Sequence, residues 1–200
     1  MKPLIIEPSI TLHKTHANLV PVMGACALEQ VRFLCNDKER NDLILNVIAA
    51  DLEQGRKILI PFSSLDSVAM SENLKSLINL RLDSSQMVCD RLYASQSVAE
   101  RKIVMNKFVN GETRVLICSE ALIGAGFNLQ GWDTYYKITP TVDRFIRGVV
   151  RPVTLRVFVD TNPAPPVLPR FKKVIAGYSA VGYPLDIGSL PFFNEMNGEV

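Results

Sequence analysis

Met87–Cys118 reads MVCDRLYASQSVAERKIVMNKFVNGETRVLIC. Two short strand-like runs, Met87–Tyr93 and Arg114–Cys118, flank a segment that opens with Ser97-Val98-Ala99-Glu100, the spacing of a capping box. In such a box the serine hydroxyl and the glutamate carboxylate each satisfy an orphan backbone amide, which fixes the start of a helix. Val98, Val104, Met105 and Phe108 supply that helix with apolar positions, and Asn110-Gly111 ends it. Strands joined through a helix are crossover-connected and therefore parallel.

The alternation continues outward. Lys57–Phe62 (KILIPF) is a continuous apolar run, the pattern of a strand buried on both faces. Ser63 and Ser64 after it offer N-caps to a helix reaching about Leu80. Before it, Asn41 or Asp42 is expected to cap a helix carrying Leu43, Ile44, Val47, Ile48 and Leu52 and ended by Gly55. Downstream lie a glycine-containing segment to Gly131, a strand at Thr134–Ile138, a short helix over Val142–Val150 and a last strand at Thr154–Asp160. The expected fold class is α/β: a single domain with a mainly parallel sheet and helices on both faces. Its expected extent is 37–160. Residues 1–36 are expected to be an irregular lead-in with one short strand near Leu4–Ile6. Residues 161–185 make a Pro-rich connector and a short amphipathic helix over Phe171–Tyr183, and 186–200 a poorly ordered tail.

Composition fits one such domain. The chain has 200 residues, 48% of them apolar, with 22 Lys and Arg against 20 Asp and Glu. A net charge of +2 gives no global field to steer nucleic acid, so such binding would rest on local groups. No apolar run approaches the ~18 residues of a membrane span, and the first residues do not form a signal peptide, so no membrane role and a cytoplasmic location are expected. Cys26, Cys35, Cys89 and Cys118 lack metal-ligand spacing and read as reduced thiols. His13 and His16 make no complete metal site and read as solvated surface histidines; no metal ligands are assigned.

Self-contained catalytic sets are missing. No GxxxxGK[ST] loop, DExx-type acidic pair, HExxH or GxSxG occurs. Gly124-Ala125-Gly126 is not a dinucleotide fingerprint, because its third glycine falls at 131 and the strand from Thr134 follows with no room for a crossover helix.

Taken in order, Arg40-Asn41, the strand KILIPFSS, the stretch from Arg91 to Tyr136 and the run RFIRGVVRP keep a familiar series. They resemble the second, C-terminal RecA-like lobe of superfamily 2 helicases and translocases, of the phage UvsW-like or Swi2/Snf2-like kind, from Arg40 to Asp160. KILIPFSS resembles the motif IV strand, and Ser119-x6-Gly126-Phe127-Asn128-Leu129 resembles motif V. At motif VI the chain has Ile146-Arg147-Gly148-Val149-Val150-Arg151, in which glycine and arginine have changed places relative to the family string.

The resemblance implies roles for these residues. In such motors ATP lies between two lobes, and an arginine reaching across neutralises charge developing on the γ-phosphate, worth ~10³–10⁵ in rate. Aligned without a gap, Arg151 matches that finger; Arg147 is the second catalytic candidate. Gly124, Gly126, Asn128 and Arg144 are implied at the nucleotide. Ser63, Ser64, Ser95 and Ser119, placed at the C-terminal ends of strands, are candidates for contacts to DNA or RNA phosphates. ATP and Mg2+ are implied as shared with a partner lobe carrying the Walker A and B motifs, and none is expected to be held by this chain alone. The glycines equally suit ordinary turns, the arginines a solvated basic face, and Ser64 a helix cap. Trp132, Tyr135 and Tyr136 read as core rather than as base-stacking groups. Two functions follow: the C-terminal half of an ATP-driven motor standing as a separate polypeptide, or a degenerate, non-catalytic lobe serving as scaffold or inhibitor.

Overall fold

A computed structural model describes residues 9–15, 27–62, 68–82, 88–124, 131–139 and 153–160, together with 173, 176–178 and 180. Its elements are β1 (Ser9–Thr15), α1 (Ala27–Asn36), α2 (Lys38–Glu53), β2 (Ile58–Phe62), α3 (Val68–Leu82), β3 (Cys89–Leu92), α4 (Val98–Asn110), β4 (Val115–Ser119), α5 (Glu120–Gly124), β5 (Thr134–Lys137) and β6 (Thr154–Asp160). The strands form a six-stranded sheet in the order β1-β6-β5-β2-β4-β3. Every neighbouring pair is parallel.

Right-handed crossovers dictate where the helices lie. From β1 to β2 and from β2 to β3 the chain moves across the sheet in one direction, and α1, α2 and α3 fall on one face. At β3 it turns back through β4 to β5, so α4 and α5 fall on the other. Side-chain contacts agree. Ile58, Ile60, Phe62, Cys89, Val115, Ile117, Tyr136 and Phe158 pack with Ile44, Leu45, Ile48 and Leu52 of α2 and Ile78 of α3. Lys57, one position out of phase with Ile58, instead donates from Nζ to the carbonyls of Phe108 and Val109 at the end of α4, at 3.2 and 3.0 Å. The strand cores read as uninterrupted apolar runs because both faces are covered: all five residues of β2 are buried.

The capping box at Ser97 forms as its spacing predicts. Ser97 Oγ accepts from the Glu100 amide at 3.2 Å, and a Glu100 carboxylate oxygen accepts from the Ser97 amide at 2.7 Å. Gly111 ends the helix at φ +83°, a left-handed conformation that glycine adopts without penalty. Trp132, Tyr135 and Tyr136 are buried, as expected of core residues.

Three expectations are corrected. The stretch 1–36, read as irregular, contains β1, which pairs along its whole length with β6, and α1, whose Val31 and Leu34 are fully buried. The N-cap of α2 is Asp37, not Asn41 or Asp42; its carboxylate accepts from the Arg40 amide at 2.8 Å. His13 is not a solvated histidine. Its ring stacks on Phe158 with centroids 4.8 Å apart, and its Nε2 is buried without a hydrogen-bond partner. The strand near Leu4–Ile6, the helix over Val142–Val150 and the tail lie outside the described residues. Within Phe171–Tyr183 the described residues are helical, and Tyr178 is buried. Among the described residues, no helix is long and apolar enough to cross a membrane.

Candidate functional site

All strands point the same way, so their C-terminal ends share one edge of the sheet. Ligands of open α/β sheets bind outside that edge, where the strand order reverses. Here the reversal brackets β2: the chain leaves β4 on one side of it and returns as β5 on the other. The exits of β2, β4 and β5 therefore lie together. Phe62 is in register with Ser119, and Leu92 with Cys118.

Ser119 ends β4, half-buried, directly before α5. Ser95 is exposed on the turn that follows β3. Gln96 braces that turn: its side-chain oxygen accepts from the Tyr93 amide at 2.9 Å, and its amide nitrogen donates to the Arg91 carbonyl at 3.2 Å. Arg91 lies over the Tyr93 ring, 4.9 Å from its centroid, donates to Ser71 Oγ at 3.0 Å and pairs with Glu72. Such a braced turn holds its exposed hydroxyl and amides with little conformational freedom. Gly124 is the last residue of α5. Ser63, Ser64, Gly126, Asn128, Arg144, Arg147 and Arg151 lie outside the described residues. Of the candidate set, the structure thus brings Ser95, Ser119 and Gly124 to one edge.

Two cationic residues at this edge carried no assigned role. Arg40, in the first turn of α2, is 2% exposed, and its Nη2 donates to the carbonyl of Ile138, the first residue past β5. Lys137, the last residue of β5, is 1% exposed, and its ammonium is 3.5 Å from a carboxylate oxygen of Glu120. Burial of Lys or Arg requires such partners. A lysine inside the apolar run Tyr135–Ile138 and an arginine in the first turn of an apolar-faced helix were the signals available. Cys89 and Cys118 are free and buried, and burial pushes both thiols up, away from the reactive thiolate. No cluster of His, Cys, Asp and Glu suited to a metal ion occurs among the described residues.

The pattern of the helicase conserved C-terminal domain matches residues 39–145, more than half of the chain. No curated protein matches. Among solved structures, the chain is similar to T4 UvsW (TM-score 0.60, 12% identity, covering 87% of this chain and 40% of that one). It is also similar to the C-terminal part of the Fun30 ATPase domain (0.52, 15%, 76% and 48%). For the Sulfolobus solfataricus SWI2/SNF2 ATPase C-terminal domain the figures are 0.51, 17%, 96% and 94%. The chain spans less than half the length of the UvsW and Fun30 chains, and nearly the whole of the isolated Sulfolobus C-terminal domain. At these identities the likeness is one of fold, a single RecA-like α/β domain.

Proposed function

Because this chain belongs to the helicase conserved C-terminal domain family, we propose that it is the C-terminal half of an ATP-dependent superfamily 2 nucleic-acid helicase or translocase. On this reading it works in trans with a lobe that carries Walker A and B, which holds Mg2+ and the bulk of the ATP. This chain supplies the arginine finger Arg151, with Arg147 beside it, and Gly124, Gly126, Asn128 and Arg144 on its own side of the nucleotide. Ser63, Ser64, Ser95 and Ser119 contribute to a phosphate track for DNA or RNA, and the assembly works in the cytoplasm, the host's if the protein is viral.

One observation carries the reading. The segments leaving β4 and β5, which hold the motif V and motif VI strings, set out from the same C-terminal edge of an all-parallel sheet, one on each side of β2. The hydroxyls of Ser95 and Ser119 and the backbone amides at that edge suit phosphate, whereas the 200 residues hold no Walker A lysine. The test is ATP turnover by the purified chain, alone and mixed with a RecA-like lobe bearing Walker A and B, with single-stranded DNA or RNA present. Turnover only in the mixture is expected. Hydrolysis by the chain alone would overturn the reading.

A second reading, a non-catalytic scaffold or inhibitor docked on a motor, is favoured by the order Arg147-Gly148, which displaces both the flexible residue and the charge relative to the family string. Under it the mixture assembles but gains no turnover.

A further inference from the structure

Tyr93-Ala94-Ser95-Gln96, just past β3, is a hydrogen-bonded turn in which the Gln96 amide donates to the Tyr93 carbonyl at 3.2 Å. Neither central residue takes a positive φ, so no glycine is needed at its tip. The ladder with β4 ends at Leu92, and the amide of half-buried Tyr93 lies past it. Such a group needs an acceptor, and the side chain of Gln96 provides one at 2.9 Å. The same side chain donates to the Arg91 carbonyl at 3.2 Å. One residue on, the Ser97 amide is taken by the Glu100 carboxylate. From Tyr93 to Ser97, therefore, the donors with no partner among the described residues are the amides of Ala94 and Ser95 and the Ser95 hydroxyl. Both residues are exposed.

The base of the turn is fixed independently. Arg91 is itself buried; its guanidinium lies 4.9 Å from the centroid of the Tyr93 ring, donates to Ser71 Oγ at 3.0 Å and pairs with Glu72. Ser71 and Glu72 belong to α3, so the turn is joined to a helix as well as to its own strand. Gln96 is the link between this buried base and the exposed tip. Without it, two of the four turn residues lose their backbone restraint, and the tip regains the freedom that folding had removed.

We infer that Gln96 is a positioning residue, which by holding Tyr93 and Arg91 presents the Ser95 hydroxyl and the amides of Ala94 and Ser95 as a preset group of donors for a backbone phosphate of single-stranded DNA or RNA. Hydroxyls and backbone amides are the donors that nucleic-acid backbones ordinarily meet, and donors ordered beforehand bind without a further entropy cost. Ser95 makes the contact, and Gln96 acts through it. That nucleic acid passes here rests on the function proposed above; the bracing of the turn does not.

A double-mutant cycle on the full chain tests this, with a fluorescein-labelled single-stranded oligonucleotide as the probe. Ser95→Ala should weaken binding about ten-fold, the worth of one hydrogen bond to a charged group. Gln96→Met, which keeps the bulk and loses both hydrogen bonds, should weaken it by a similar factor. The double variant should bind no more weakly than the weaker single one, because the two residues act as a unit. Amide hydrogen exchange gives the second readout. In Gln96→Met the Tyr93 amide should exchange about ten-fold faster, with Val115–Ser119 at wild-type rates. Losses that multiply in the double variant would overturn the inference, since Gln96 would then act apart from Ser95. Wild-type affinity in Gln96→Met, or an unchanged Tyr93 amide, would overturn it too, as would a rise in exchange shared by Val115–Ser119. If Ser95→Ala binds like the wild type while the Tyr93 amide is still freed in Gln96→Met, the phosphate contact fails and the bracing alone stands.

Discussion

Asp51 on α2 is gripped by both arms of Arg156 on β6: Nη2 lies 2.7 Å from one carboxylate oxygen and Nε 3.0 Å from the other. Tyr136 of β5 donates its hydroxyl to the same carboxylate at 2.7 Å, and Arg156 also donates to Thr11 of β1 at 2.7 Å. One buried carboxylate thus ties a helix to three adjacent strands, including the N-terminal edge strand. Burial, with the Asp51 carboxylate beside it, pushes the Tyr136 hydroxyl well above the usual phenol range, so it stays a donor.

Removing one partner from such a set leaves the others buried and uncompensated. Asp51→Ala is expected to cost about 3–5 kcal/mol in urea unfolding. An exposed surface pair such as Arg81–Asp42, at 2.6 Å and more than 40% exposed on both sides, should cost under about 1 kcal/mol when Asp42 is replaced by Ala. Equal losses for the two variants would contradict this ranking.

Ser97→Ala removes the cap of α4 and should lower stability by about 1 kcal/mol. The Ser97 side chain, and then its backbone amide, hold the Glu100 carboxyl below the usual carboxylate range. A group so depressed contributes stability that is complete above its unfolded pKa and is lost as pH falls through its lower folded value. NMR titration of Glu100 should therefore give an upward shift in Ser97→Ala. No shift would mean that the cap does not act through this carboxylate.

His13 offers a separate pH signature. Burial and then the neighbouring Arg156 push its imidazole below the ordinary value of 6.5, against a smaller raising effect of Asp51. The unfolded chain then takes up the proton more readily than the folded one, so this group weakens the fold as pH falls below 6.5. Above that pH it contributes no slope. Stability measured from pH 7.5 to 5 should fall more steeply for wild type than for His13→Gln. Parallel curves would show that the ring is not held neutral by its site.

Much of the fold was legible because local and global signals coincided. In β2 and in β4 up to Cys118 every residue suits burial on two faces, and Ser97 with Glu100 specified a helix start without help from tertiary structure. β1 was not legible in this way. SITLHKT is a mixed run whose pairing is supplied by β6, more than 140 residues away in sequence. The spacing does not single out Asp37 as the cap, because Asn41 and Asp42 stand nearer the apolar stripe; the helix starts earlier, and its first turn buries Arg40. The candidate site was legible as a set of motif strings. Arg40 and Lys137 were not, since what a charged residue does inside a fold depends on partners such as Ile138 and Glu120 that sequence spacing does not reveal.

ATP turnover by the two-lobe mixture carrying Arg151→Ala, set beside the wild-type mixture, bears most directly on the motor reading. A finger arginine should cost at least ~10³ in turnover, with association of the lobes and nucleic-acid binding unchanged. Wild-type turnover in the variant would contradict the assignment of this chain as the half that completes the ATP site.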